Sequence, residues 1–165
     1  MKRGGQSSNV RAGETTTKAG VLPREGRRRL IWVPIIHTEA DLGNMAGSVR
    51  DLYVRKMGPA KWARHVADIG RLWSQIRERI EGMRLEYAKV RLYQDGLPNC
   101  GQEKQIVADL ARAGSQNHQL LADLMARGAA IMGTETLRPG ETGLIFLGML
   151  HSLAGRLPPD IEVIR

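Results

Sequence analysis

Short apolar runs alternate with longer amphipathic stretches along the chain. The apolar runs occupy residues 30–37, 89–93, 129–132, 143–150 and 160–164. Short, nearly continuous runs of this kind are typical of strands that are buried on both faces of a parallel sheet. Pro34 interrupts the first run and has no N–H to give to a strand ladder, so we expect either a short strand or a bulge there.

Helical periodicity fills the intervals between the first three predicted strands. From Pro59 onward, apolar side chains recur every three or four residues, which is the stripe of an amphipathic helix. The stripe consists of Trp62, Val66, Ile69, Leu72, Trp73, Ile76, Ile80 and Met83. Gly58 marks the end of a preceding helix over 45–56. Two further helices are predicted over 101–113 and 115–127.

This order of elements predicts an α/β fold. We expect residues 30–165 to form one three-layer domain, with a mostly parallel sheet of four or five strands and helices on its faces. The link between the third and fourth strands, 136–142, is too short for a helical crossover. This link and the one from His151 to Pro159 leave open an antiparallel or irregular carboxyl-terminal part. An antiparallel fourth strand would carry His151 away from the edge shared by the others.

Residues 1–29 differ in composition from the rest of the chain. They hold eight of the 25 basic residues and two of the 17 acidic residues, and so carry +6 of the net charge of +8. Glycine, serine and threonine are frequent there, and such a segment cannot bury enough apolar surface to offset the entropy lost on ordering. We predict a disordered basic arm, which either binds an acidic partner such as RNA through phosphate contacts or is a solvated extension.

Composition narrows the class of protein. The chain has 165 residues, of which 42% are hydrophobic. A single domain of this size can bury a hydrophobic core without the help of disulfides or bound metal. The longest apolar segments fall well short of the roughly 18 to 20 residues that span a membrane, and no apolar signal segment precedes residue 30. Cys100 is the single cysteine, which excludes an internal disulfide. We expect a cytoplasmic protein without membrane association, and a homo-oligomer is compatible with these totals.

Ionisable residues stand at the ends of the first four predicted strands. They are His37, Asp95, Glu135 and His151. The carboxyl ends of parallel strands meet at one edge of an open α/β sheet, where such folds place their sites. Glu39 stands two residues after His37, on the same side of an extended backbone, where it would orient the histidine. Together these five residues are the predicted catalytic site.

Two kinds of chemistry fit this set of side chains. Two histidines and a carboxylate suffice to bind a divalent metal ion with an open position, and His37, His151 and Glu135 would be its ligands. The same residues would also serve acid–base catalysis without a metal. The structural alternative is that each is an ordinary polar side chain at a strand end. No glycine-rich phosphate loop, HExxH, paired CxxC or GxSxG motif is present, which disfavours nucleotide cofactors and serine hydrolases.

Two short segments resemble a known group of proteins. Residues 35–39, Ile-Ile-His-Thr-Glu, and residues 147–151, Leu-Gly-Met-Leu-His, are similar to the strand-end histidine motifs of the broad TraB and ChaN/erythromycin-esterase group. The chain departs from the first motif because Pro34 stands in place of its glycine. The resemblance implies a site for metal-dependent hydrolysis or ligand binding, to which His37, Glu39 and His151 would contribute.

The sequence therefore predicts a small cytoplasmic enzyme, a hydrolase that acts on a small-molecule substrate at the carboxyl ends of the strands. It would work either with one divalent metal ion or without a cofactor. The alternative is a non-catalytic binding protein that uses the basic arm to contact an acidic partner such as RNA.

Overall fold

A computed structural model of the chain describes residues 27–133, 136–153 and 155–165, and its central element is a sheet of five strands. The strands are β1 (Arg28–Ile35), β2 (Val90–Gln94), β3 (Ala130–Ile131), β4 (Thr142–Gly148) and β5 (Ile161–Ile164), in the spatial order β3-β2-β4-β1-β5. Every pairing among them is parallel. The predicted α/β fold is confirmed, and the antiparallel alternative for the carboxyl-terminal part is wrong.

Helices connect the first three strands. They are α1 (Ala46–Met57), α2 (Pro59–Gly82), α3 (Glu103–Arg112) and α4 (Gln116–Ala126), with short 3₁₀ helices at Glu39–Met45 and Tyr87–Lys89. The two crossovers from β1 to β2 and from β2 to β3 run in the same direction across the sheet, so right-handed connections place them on the same face. None of the helices in the described part of the chain is long and apolar enough to cross a membrane.

The core lies between this face of the sheet and helices α2, α3 and α4. On β1 the inward positions alternate, as the period of a strand requires, and β4 between its two neighbours is the most completely buried strand. The largest fully buried side chains are Trp73, Phe146, Leu92, Leu121, Leu144, Val33, Val90 and Val107. On the opposite face, Gly143 leaves room for Leu30, Leu137 and Tyr93, whose side chains crowd the place where a Cβ would stand.

Trp73 fixes α2 to the carboxyl end of β1. Its side chain is 1% exposed, and its indole N–H donates to the carbonyl of Ile36 at 3.2 Å. Ile36 immediately precedes His37, so this contact sets where the first candidate side chain leaves the sheet. The same region explains Pro34. Since β5 pairs only with Arg28–Ile31, Pro34 lies where a described strand borders β1 on one side only, which is a position in a sheet that tolerates proline.

The first strand is longer than predicted at its amino end. Arg28 donates to both carboxylate oxygens of Asp160 at 2.7 Å and to the carbonyl of Leu137 at 3.1 Å. This pairing holds the start of β1 against the segment that leads into β5, and it lowers the pKa of Asp160. Arg28 and Arg29 therefore belong to the sheet, which corrects the predicted boundary between arm and domain. Residues 1–26, the rest of the predicted arm, lie outside the described residues.

The amino-terminal half of α2 and all of α1 form a helical hairpin, defined here as residues 46–72, that buries no side chain fully. Leu52 and Tyr53 are each 43% exposed and Val66 is 46% exposed. Of the apolar stripe predicted for α2, only Trp73 and Ile80 are fully buried. The hairpin thus has no fully buried side chain, whereas α3 has one and α4 has five.

Replacing Trp73 with phenylalanine tests its anchoring role. The substitution removes the N–H donor to Ile36 and leaves part of the ring volume empty. We expect the free energy of unfolding to fall by about 1 to 3 kcal/mol, measured by urea denaturation. The same substitution at Trp62, which is half-buried in the hairpin, should cost less than about 1 kcal/mol. Equal losses at the two positions would contradict the assignment.

Candidate functional site

His37 stands at the carboxyl edge of the sheet, two residues beyond the end of β1. It is exposed. Because Ile35 pairs with Gly148, His37 leaves the sheet beside the carboxyl end of β4. Its side chain lines a cleft of about 830 Å³. This volume is within the range of small-molecule sites.

The cleft lies between the first 3₁₀ helix, the helical hairpin and the turn that joins α3 to α4. Tyr53 and Trp62 stack in its wall, with ring centroids 5.8 Å apart and an angle of 17° between the planes. Its polar lining consists of His37, Thr38, Glu39, His65, Arg71, Ser74 and Gln116. A mainly apolar concavity with a few polar groups, beside the carboxyl end of a parallel strand, is the usual form of a ligand site in an open α/β sheet.

The turn after His37 is fixed by a capping box. The backbone N–H and the hydroxyl of Thr38 both donate to Asp41 Oδ2, at 2.6 and 2.8 Å. Glu39 does not contact His37 but pairs with Arg50 of α1 at 3.4 Å. The chain enters a 3₁₀ helix at Glu39, so the same-side rule for extended backbone does not apply there, and the orienting role of Glu39 stays a prediction.

A buried polar cluster lies behind this turn. It consists of Asp41, Gln94, Ser115 and His118. The imidazole of His118 has its Nδ1 2.6 Å from Ser115 Oγ and its Nε2 2.9 Å from Gln94 Nε2, and Nδ1 is 4.0 Å from Asp41 Oδ1. The cluster thus joins the end of β2, the start of α4 and the capping box next to His37.

The charge state of His118 follows from its surroundings. Burial disfavours the charged ring and lowers the pKa of His118, the carboxylate of Asp41 opposes this, and a charge on His37 lowers the pKa further. His118 is therefore neutral at neutral pH, and its role is to hold the buried polar cluster together.

The protons of the cluster can be arranged in two ways. Ser115 caps α4 by accepting a hydrogen bond from the backbone N–H of His118 at 3.4 Å. With the amide nitrogen of Gln94 at Nε2, that ring nitrogen accepts, and the neutral ring carries its proton on Nδ1, which donates to Ser115 Oγ. The amide oxygen of Gln94 is buried and has no partner in the described residues; a half-turn of the amide would bring this oxygen to Nε2 and place the ring proton there.

Asp95 and His151 form a second, exposed pair at the same edge. They follow β2 and β4, and Asp95 Oδ2 is 3.7 Å from His151 Nε2, with both side chains about half exposed at 52% and 54%. The backbone N–H of Asp95 donates to the carbonyl of Phe146 at 3.0 Å. A Cβ at Gly148 would stand 3.3 Å from the His151 ring, so the glycine makes room for the histidine itself.

The five predicted residues divide into three groups. His37 and Glu39 line the cleft. Asp95 and His151 pair with each other at neighbouring strand ends, and they do not line the cleft. Glu135 lies outside the described residues, as does the metal site that requires it. Among residues 27–133, 136–153 and 155–165, no group of three or more histidine, cysteine or acidic side chains is placed to hold a metal ion.

Two of the residues that matter most here were not predicted as site residues. His118 and Ser115 form the centre of the buried polar cluster, and the signal in the sequence was Ser115 at a helix start with His118 three residues later. A serine that caps a helix accepts a hydrogen bond from the backbone N–H two or three residues further on. Cys100 is exposed, and its backbone N–H donates to Glu103 at 2.6 Å.

Comparison of the chain with protein-family models, with curated proteins and with solved structures finds no match. The resemblance to the TraB and ChaN/erythromycin-esterase group stays a prediction based on the two strand-end histidine motifs.

The burial of His118 predicts a loss of stability in mild acid. Because its pKa is lower in the folded than in the unfolded chain, the unfolded chain takes up a proton first as the pH falls below about 6.5. The free energy of unfolding should then fall by at most about 1.4 kcal/mol per pH unit from this group. Urea denaturation between pH 7.5 and pH 5 measures the slope.

Two variants isolate the contribution of His118. His118→Gln should flatten the slope, and His65→Gln, on the exposed helical hairpin, should leave it unchanged. The pKa values of the Glu103, Glu141 and Asp160 carboxyls are lowered from ordinary values that already lie below this window, so these groups contribute little to the slope. Identical slopes for wild type and His118→Gln would show that His118 is not held neutral.

Proposed function

We propose that the protein is a hydrolase whose small-molecule substrate binds in the cleft next to His37. The observation that supports this most directly is the exposed imidazole of His37 at the carboxyl end of a central parallel strand, opening into a cleft of about 830 Å³. The strand-end position supports a site, and histidine is the most frequent general base in enzymes.

His37 would act first as a base and then as an acid. Its imidazole takes a proton from a water molecule, the water oxygen attacks the carbonyl or phosphoryl centre of the substrate, and the leaving group receives the proton back from the imidazolium. The hydrogen bonds of Asp41 to Thr38 hold the adjoining backbone, which limits the positions open to His37. Such preorganisation lowers the entropic cost of reaching the reactive geometry.

The Asp95–His151 pair would supply a second acid–base group at the next strand ends. A carboxylate beside an imidazole can orient the ring. In the metal-dependent form of the proposal, His37, His151 and Glu135 would bind one divalent ion, which activates a water molecule. The resemblance to the TraB and ChaN/erythromycin-esterase group supports this form.

The second candidate function is RNA binding through residues 1–29. The observation that favours it is the concentration of charge, +6 of the net +8, in that segment. Basic residues on phosphates release counterions, so such binding would weaken steeply with salt.

The effect of His37→Ala on turnover tests the hydrolase proposal. Against a panel of p-nitrophenyl carboxylic and phosphate esters, we expect kcat/KM to fall by about 100-fold or more, the usual contribution of a general base. His65→Ala is the matched control, since His65 lines the cleft from the hairpin side and should matter less than about fivefold. Turnover that survives His37→Ala would remove His37 from the reaction.

Chelation separates the two forms of the hydrolase proposal. Loss of turnover after dialysis against EDTA, restored by Zn²⁺ or Mn²⁺, would support the metal-dependent form. Unchanged turnover would support acid–base catalysis without a metal.

Deleting residues 1–26 tests the RNA-binding alternative without removing any part of β1. If the arm binds RNA, the deletion should abolish binding to a fluorescein-labelled RNA in fluorescence anisotropy, and His37→Ala should not change it. RNA binding by the shortened chain that equals that of the full chain would exclude the arm as the binding segment.

A further inference from the structure

The helical hairpin carries the excess positive charge of residues 30–165. It holds six basic and two acidic residues, whereas the remainder of 30–165 holds eleven basic and thirteen acidic residues. All six basic residues of the hairpin are exposed. The hairpin therefore presents a positive surface on a domain that is otherwise slightly acidic, and this charge is separate from that of residues 1–29.

Four of these cations have no carboxylate partner in the part of the chain that the structure describes. They lie on either side of the turn at Gly58 and are called here the turn cations: Arg55, Lys56, Lys61 and Arg64. The other two cations of the hairpin are paired. Arg50 pairs with Glu39 at 3.4 Å. Arg71 pairs with Asp68 on the same helix. The turn end of the hairpin is thus the place where positive charge is not neutralised by neighbouring side chains.

Helix stability does not account for all of the turn cations. Arg55 and Lys56 lie in the last turn of α1, where the negative end of the helix dipole favours positive charge. Lys61 lies in the first turn of α2, which holds no acidic residue. The positive end of the dipole disfavours a cation at that position. The placement of Lys61 is therefore better explained by contact with an anionic partner.

Aromatic side chains lie beside the turn cations. Tyr53 and Trp62 stack on each other in the wall of the cleft, and the ring of His65 lies 5.7 Å from that of Trp62. Residues three or four apart are neighbours on the surface of a helix. Lys56 consequently lies next to Tyr53, and Lys61 lies next to His65. The hairpin thus places exposed cations and rings side by side.

This combination is typical of surfaces that bind single-stranded nucleic acid. Cations contact the phosphates along the strand, and aromatic rings stack on bases. Bases are open to stacking in a single strand, whereas in a duplex they are stacked on one another. A flat anionic membrane fits less well, because insertion needs apolar side chains that project together from one face. Here Tyr53, Trp62 and Val66 line a concavity.

We propose that the helical hairpin binds single-stranded nucleic acid, with phosphates at the turn cations and a base stacked against Tyr53 or Trp62 in the wall of the cleft. Each phosphate contact releases counterions, so affinity falls steeply as salt rises. This site is separate from residues 1–29, and binding there does not depend on catalysis at His37.

Fluorescence anisotropy on the full chain tests the role of the turn cations, with a fluorescein-labelled oligouridine as the probe. Lys61→Gln/Arg64→Gln should weaken binding about tenfold and lower the slope of log affinity against log salt by about 1.4, because two phosphate contacts are lost. Lys104→Gln/Arg156→Gln removes the same charge from exposed positions outside the hairpin and should weaken binding less than about threefold. Equal losses for the two double variants, or no binding of oligouridine by the wild type, would overturn the proposal.

A substitution at Tyr53 tests the stacking contact. Tyr53→Leu keeps an apolar side chain and removes the ring, so oligouridine binding should fall about fivefold or more. The salt slope should stay unchanged, because stacking releases no counterions. Leu52→Ala is the matched control, since Leu52 has the same 43% exposure as Tyr53 but does not line the cleft. Equal effects at the two positions, or full affinity in Tyr53→Leu, would overturn the proposal.

Duplex nucleic acid and anionic membranes are the competing partners. Oligouridine should bind about fivefold or more tightly than its duplex with oligoadenosine, because the paired bases are not open to stacking. Equal affinity for the single strand and the duplex would overturn the proposal. So would co-sedimentation with vesicles of phosphatidylserine and phosphatidylcholine that is lost in Lys61→Gln/Arg64→Gln, together with no binding of oligouridine, because that result would assign the hairpin to a membrane surface.

Discussion

The parallel pairing of β1 with β4 determines where the candidate functional side chains lie. The two strands pair continuously from Arg29 with Thr142 to Ile35 with Gly148, and β4 pairs on its other side with β2. All three strands consequently end at one edge, and their next residues include His37, His151 and Asp95. An antiparallel β4 would have placed His151 at the opposite edge, so the direction of one strand decides whether any shared site can form.

In each of these strands, the buried side chains lie within the strand, and the candidate functional side chain lies just after its end. The inward positions of β4, such as Phe146, are completely buried and fix the strand in register, whereas the side chain after the strand is exposed. At Gly148 the missing side chain allows the chain to turn back, with the backbone N–H of His151 donating to the Gly148 carbonyl at 3.1 Å. Packing therefore holds the strand, and the reactive group stands just beyond the packed part.

The sequence predicted the elements well because each has a local signal. Apolar runs marked the strands, and Gly58 and Pro59 marked the boundary between α1 and α2. The sequence could not predict the order of the strands in the sheet. The link from β3 to β4 passes beyond β2, so β4 lies between β2 and β1, and nothing local in residues 136–141 specifies that.

The site was predicted in part, for the same reason. Strand ends identified His37, Asp95 and His151 as residues of one edge, because that depends only on strand direction. The buried contacts of His118 depend on how α4 packs against the end of β2, which no sequence spacing reports. Glu39 shows what sequence spacing alone leaves open. Its spacing from His37 was read on an extended backbone, and the local 3₁₀ helix turns it towards Arg50.

Helix α2 contributes to the walls of two concavities. Its first half, including Trp62, lines the cleft at His37, and its second half, including Arg79, lines a mainly apolar groove beside β1. Trp73 stands between them and is fixed to Ile36 by burial and by a hydrogen bond. Burial is uneven along this 24-residue helix, because its fully buried side chains, Trp73 and Ile80, both lie in the second half. The first half therefore lines the cleft with side chains that are not fully buried, and local opening of a helix is easiest where few side chains are buried.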